Sequence, residues 1–153
     1  MKILLVAPTE EHVEELASNM RDGDRLECLA GYSDPRPAIW DSLALAEKAW
    51  TGVLPTGEVV FIGGVSSSGR VFILSTNVVT KYPLEYIRIT RELLRRVAKE
   101  MGCLVGYIDC RYKATLRWAK WLGFELDTQH PIPVGLDQVE FIPCRYGGVA
   151  WAS

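Results

Sequence analysis

The chain of 153 residues has no long hydrophobic run. Its longest apolar stretches, LLVA, VVFIGGV and VFIL, fall far short of the ~18–20 residues that cross a bilayer. It has only two histidines, His12 and His130, and none of its four cysteines (Cys28, Cys103, Cys110 and Cys144) shows C-x-x-C spacing, so no metal site is expected. Cys103 and Cys110 flank one predicted strand, a geometry that does not suit a disulfide; reduced, mostly buried thiols are the expectation. An excess of one charge is also missing. A net charge of −2 and the lack of an interleaved basic-aromatic motif speak against a nucleic-acid binder. The opening MKILLVAP is followed at once by acidic residues, without the apolar core or small-residue cleavage site of a signal peptide. It reads as the first strand of a mature intracellular protein that is not secreted.

What is present is an ordinary globular composition, 48% hydrophobic and 24% charged, in a length that suits a single domain over residues 1–153. Ile3 to Val6 reads as a strand ended by Pro8. Thr9 then caps a helix whose first turn holds Glu10 and Glu11, with Val13, Leu16, Ala17 and Met20 on its apolar face. That helix is expected to fray in RDGDR, with Leu26 to Ala30 adding a turn, and SDPRP reads as a loop. Ile39, Leu43, Ala46 and Trp50 recur at i, i+4, i+7 and i+11, which predicts a second helix ending near Gly52. Three β-rich runs follow, separated by Pro-Thr-Gly and Ser-Ser-Ser-Gly turns. The paired Gly63 and Gly64 mark a bulge or a close backbone approach.

The local signals agree best from Gly69 to Phe124. The strand GRVFILSTNVV leads to a helix opened by Tyr82-Pro83, whose stripe is Ile87, Leu94, Val97, Ala98 and Met101 and whose stop is Gly102. A strand, Leu104 to Ile108, precedes a short helix formed by Ala114, Leu116, Trp118, Trp121 and Leu122 and stopped by Gly123. A Pro-rich loop, HPIPVG, and a last strand, VEFIPCRY, complete the chain.

KATLRWAKWLGFEL, a closing helix running into Leu-Gly-Phe, resembles the ending of the GNAT superfamily of N-acetyltransferases. CLVGYIDC before it, and the earlier helix with Leu93-Leu94 near its middle, are similarly placed. In finer detail, Phe61-Ile62-Gly63-Gly64, the Ser75-Thr76 strand end and the long helix after it resemble the acetyltransferase-like small internal virion proteins of short-tailed phages. The resemblance implies an α+β fold, a mixed and mostly antiparallel sheet with helices on both faces and one splayed parallel pair, Phe72–Val79 beside Leu104–Asp109. It also implies acetyl-CoA as cofactor and an amine acceptor or protein partner. It places the protein in a phage-infected host's cytoplasm or in a virion.

The family's site maps onto this chain with departures. Asn77, Val78 and Val79 would line the cofactor at the strand end, and Glu85, Arg88 and Thr90 stand on the key positions of the pyrophosphate loop, where both glycines are missing. Arg88 would bind phosphate by side-chain charge; alternatively Arg88, Arg91, Arg95 and Lys99 are a solvated helix face or a dock for an acidic partner. The usual acid, a tyrosine on the last helix, is replaced by Ala119, leaving Tyr112 or Tyr107 as substitutes. Asp109 is the candidate base, with capping of the next turn as its competing role, and Cys110 is a weaker candidate nucleophile. Tyr32, Trp40 and Trp50, with the loop from Gly31 to Pro37, would line the acceptor pocket. The alternative implied by these departures is a non-catalytic binding or structural protein on the same fold, such as a virion component or host-directed inhibitor.

Overall fold

The structure is a computed structural model and describes residues 2–147. Strand β1 (Leu4–Val6) leads to three helices, α1 (Glu10–Asn19), α2 (Asp22–Gly31) and α3 (Pro35–Leu45). Three strands follow, β2 (Ala46–Val53), β3 (Val59–Ser66) and β4 (Val71–Ser75), then α4 (Pro83–Met101), β5 (Leu104–Asp109) and α5 (Lys113–Leu122). Two short strands, β6 (Glu125–Leu126) and β7 (Ile132–Val134), precede β8 (Val139–Tyr146).

Strands β1 to β4 form an antiparallel meander, while β5, β6 and β7 each pair antiparallel with β8. β3 is the spine, because its two faces feed two cores. Val59 and Ile62 pack with Val13, Leu16 and Ile39 of α1 and α3. Phe61 and Val65 pack on the other side with Leu93, Leu94 and Val97 of α4. Its continuous apolar run is thus the signature of a strand covered on both faces. The register shifts between Gly52 and Val53 opposite β3, and the Val59 carbonyl there accepts from the Thr76 hydroxyl (2.8 Å). Gly63 and Gly64 mark a close approach: a Cβ on Gly64 would come within 2.8 Å of the Lys48 carbonyl oxygen.

Among the described residues the two sheets are joined by backbone pairing only where β4 and β5 begin. Val105 N–H donates to the Gly69 carbonyl (2.9 Å), and Arg70 faces Val105 in a single parallel bridge. Gly69 has φ +86°, and a Cβ there would sit 2.5 Å from the Cys103 carbonyl oxygen, so the joint requires glycine. Beyond it the strands part. The architecture is the mixed α+β one that the resemblance implies, with its splayed parallel pair.

Several local expectations are corrected. The RDGDR segment does not fray: Asp22 and Asp24 occupy the first turn of a complete helix, α2, where the helix dipole favours acids. SDPRP is not a loop, because Asp34 accepts from Arg36 N–H as N-cap and Pro35 occupies the first helical turn, which needs no proline N–H. The predicted helix to Gly52 stops at Leu45; Ala46 and Trp50 belong to β2, which is held by β1 and β3 on both edges. The strand expected to run to Val79 ends at Ser75, and HPIPVG contributes the small strand β7. Trp121, near the end of α5, is 71% exposed. All four cysteines are free, and Cys28 and Cys144 are buried.

Candidate active site at the mouth of the splayed strands

The junction of α1 and α2 crosses the open end of the splay. Met20 bridges Thr76, and Arg21 N–H donates to the Ser75 carbonyl (3.0 Å). In the first turn of α2, the buried Asp24 accepts from both Ser75 N–H (2.9 Å) and Ser75 Oγ (2.8 Å). Glu27, three residues on and therefore on the same helix face, accepts from Asp109 N–H (3.0 Å). One helix thus supplies carboxylates to the ends of both strands. Gly23 allows this approach, since a Cβ there would lie 2.3 Å from the Tyr112 ring.

Aromatic rings floor the mouth. Tyr86 of α4 stacks on Trp118 of α5 (5.5 Å between centroids, 12° between planes) and takes the edge of Phe61 (5.7 Å, 66°). Desolvation dominates the electrostatics here. It pushes the Asp24 carboxyl up to about 6, against the pull of the Ser75 hydrogen bonds and of Arg21. Glu27 is pushed up to about 8, first by burial and then by the charge of Asp24. Burial also raises the Tyr86 and Tyr112 phenols and pushes the Cys28 thiol up to about 12.

Of the residues singled out in the sequence, Tyr112 and Asp109 come to this mouth. Tyr112 Oη is buried without a hydrogen-bond partner among the described residues, and the Arg21 guanidinium lies 5.7 Å from its ring centroid. Asp109 is 1% exposed and accepts from Arg111 N–H (2.8 Å) and its guanidinium (2.6 Å), capping the turn after β5. Tyr107 lies back toward the joint, its ring 5.0 Å from the Arg70 guanidinium.

The residues assigned to the cofactor follow the end of β4. Asn77, Val78 and Val79 belong to a 3₁₀ turn, Asn77–Thr80, capped by the Thr76 hydroxyl, and Val79 is buried. Glu85, Arg88 and Thr90 are all inside α4 rather than in a loop before it. Glu85 accepts from Ile3 N–H (3.1 Å) and from Arg88 (2.6 Å), while Arg88 also reaches Glu92 (3.0 Å). The Arg88 guanidinium holds the Glu85 carboxyl down at about 2. Thr90 is fully buried and donates to the Tyr86 carbonyl (2.7 Å). Among the described residues Tyr32, Trp40 and Trp50 do not gather in one acceptor pocket. Trp50 packs against the α4 side, Trp40 is 45% exposed on α3, and Tyr32 donates to Asp41 (2.8 Å). Ala119, where the resemblance looks for a tyrosine, is buried.

Sequence reasoning missed Asp24 and Glu27. Their signal was an acid at Asp24 in phase with Cys28, on the side of the helix that turns inward. Among the described residues no cluster of His, Cys, Asp and Glu is arranged to hold a metal ion, and no helix is long and apolar enough to cross a membrane.

Neither a protein-family model nor a curated protein sequence matches the chain. Solved structures do. An N-acetyltransferase from Staphylococcus aureus Mu50 is similar with a TM-score of 0.68 at 12% identity, covering 96% of this chain and 99% of that one. The fold is the GNAT acetyltransferase fold. A GNAT-family acetyltransferase from Bacillus anthracis matches with a TM-score of 0.66 at 12% identity, over 96% and 95% of the two chains. A phosphinothricin acetyltransferase of the GNAT superfamily from Sinorhizobium meliloti, solved in complex with acetyl-CoA, matches with a TM-score of 0.61 at 11% identity, over 96% and 89%.

Proposed function

We propose that this chain is a divergent acyl-CoA-dependent N-acetyltransferase whose cofactor enters the splay between β4 and β5. The observation that carries the reading is the pair of free strand edges. Among the described residues no backbone hydrogen bond joins β4 to β5 beyond the Val105–Gly69 joint. Ser75 N–H points away from β3 to Asp24, so by strand alternation Ile73 presents its peptide groups the same way. Val105 and Asp109 likewise donate away from β8, which puts Tyr107 N–H on the facing edge. An amide-bearing pantetheine arm is the kind of ligand that such edges hold by main-chain contacts.

The reaction needs a base for the acceptor amine and an acid for the leaving thiolate. With acyl-CoA in the splay, Glu27 would take the proton of the attacking amine and Tyr112 would give one to the leaving thiolate. Asp109, committed to Arg111, positions the turn that carries Tyr112. Phosphates would meet the start of α4 without glycines, and Arg88, already tied to two carboxylates, contributes little there. The acceptor is an amine, and a phage origin, with action in the host cytoplasm or carriage in a virion, belongs to the same reading.

A second reading, a non-catalytic binding module, is favoured by one feature: Asp24 and Glu27 already occupy the last donors of both strands. Calorimetric titration with acetyl-CoA and CoA, after a mass check for co-purified ligand, separates the two. Micromolar binding is expected. No heat and no co-purified ligand would overturn the enzyme reading and leave the binding module.

A further inference from the structure

α4 and α5 carry eight basic side chains against three acidic ones, in a chain whose total charge is −2. The three acids are already engaged: Arg88 holds Glu85 and Glu92, and Lys48 holds Glu100. Among the described residues Arg91 and Arg95, one turn apart, form no ion pair. Both line a groove of about 450 Å³ whose apolar surface comes from Leu84, Ile87 and Trp121. Leu84 is 82% exposed and Trp121 71% exposed, on helices whose other faces are well buried. Large apolar side chains held open between uncompensated cations are the anatomy of a recognition surface rather than of a merely solvated helix face.

We propose that this groove docks an acidic segment of a partner protein, with an apolar side chain seated between Leu84 and Trp121 and carboxylates on Arg91 and Arg95. A peptide fits the chemistry better than a nucleic acid. Glu92 lines the groove and the ionised Glu85 is paired with Arg88, which also lines it, so a continuous phosphate backbone would meet repulsion that spaced carboxylates avoid. Its floor is aliphatic with one indole, whereas single-strand binders stack successive bases on several rings. Docking an amphipathic segment with its apolar side in the groove follows a common mode of peptide recognition. The proposal stands whether or not the splay binds acyl-CoA.

The test uses a labelled amphipathic peptide with glutamates on one face and leucines on the other, its lysine-substituted twin, and fluorescence anisotropy on the full chain. The acidic peptide is expected to bind in the micromolar range, weaken as salt rises, and lose about tenfold or more in affinity with Trp121→Ala and with Arg91→Glu/Arg95→Glu. The lysine twin should not bind. Both variants lie on the surface, and any affinity of the splay for acetyl-CoA should survive Trp121→Ala. No binding of the acidic peptide, equal binding of the twin, or indifference to both variants would overturn the proposal. So would displacement of the peptide by CoA or by a single-stranded oligonucleotide, which would assign the groove to those ligands.

Discussion

Glu27 and Glu85 make the same bond and end at opposite ends of the carboxyl range. Each accepts one backbone N–H from a residue distant in sequence, Glu27 from Asp109 and Glu85 from Ile3. Yet Glu27 is pushed up to about 8 and Glu85 held down at about 2. The hydrogen bond is not what separates them. Glu27 is desolvated at the strand mouth with Asp24 and Asp109 as charged neighbours, whereas Glu85 meets solvent with Arg88 alongside. Burial without a cation raises a carboxyl, and a cation at the surface lowers it. The mouth is therefore a place where protons can be held and moved near neutral pH, and the start of α4 is a fixed ion pair.

Tyr86 stands beside Glu85 in sequence and reaches the mouth with its ring, so removing it should disturb the comparison most. Tyr86→Ala deletes a buried ring stacked on Trp118 and met edge-on by Phe61. The expected loss is about 3–5 kcal/mol in urea unfolding. A loss under about 1 kcal/mol would mean that the floor of the mouth collapses onto the gap.

The next effect is a pH dependence that the two carboxyl environments give opposite signs. Asp24 and Glu27 hold protons more tightly folded than unfolded, where carboxyls titrate near ~4. Their contribution is thus most favourable below that value and is lost as pH rises through about 6 for Asp24 and about 8 for Glu27. Melting temperature should fall from about pH 4 to about pH 8 and level off above it. Glu27→Gln, which keeps an acceptor for Asp109 N–H, should flatten that fall and gain roughly 2 kcal/mol at the alkaline end, a figure discounted for partial solvent access. An unchanged alkaline limb in this variant would place Glu27 in water.

The fold was far more legible than this site. Strands β3 and β5 and helices α4 and α5 announced themselves because burial, periodicity and stop residues agree in each, as with Gly102 and Gly123 at positive φ after α4 and α5. The α2–β2 stretch was misread for two physical reasons. Acids and a glycine in DGDR look like a breaker, yet acids are welcome in a first turn. Trp50 happens to fall in helical phase with Ile39, while β2 takes its hydrogen bonds from both neighbouring strands. The site suffered with it, since Asp24 and Glu27 lie on the misread helix and acquire meaning only against Ser75 and Asp109, which are distant in sequence. Tyr112 and Asp109 were findable because they follow a strand end, where ligands of open sheets gather.

The smallest expected effect tests the surface half of the comparison. Arg88→Ala removes the cation from Glu85 and Glu92 but leaves the Ile3 N–H bond in place. Because exposed ion pairs contribute little, the melting temperature at neutral pH should move less than in either variant above, and less still in high salt. The readable change is the Glu85 titration itself, followed by NMR, which should climb from about 2 toward the ordinary glutamate range. The sign follows: a depressed carboxyl supports the fold above its unfolded value and loses that support as pH falls through its folded one, so the acid unfolding limb should begin at higher pH in the variant. If Glu85 still titrates near about 2 without Arg88, the Ile3 N–H is the stronger influence. The contrast with Glu27 would then rest on burial and on the charges of Asp24 and Asp109 around Glu27.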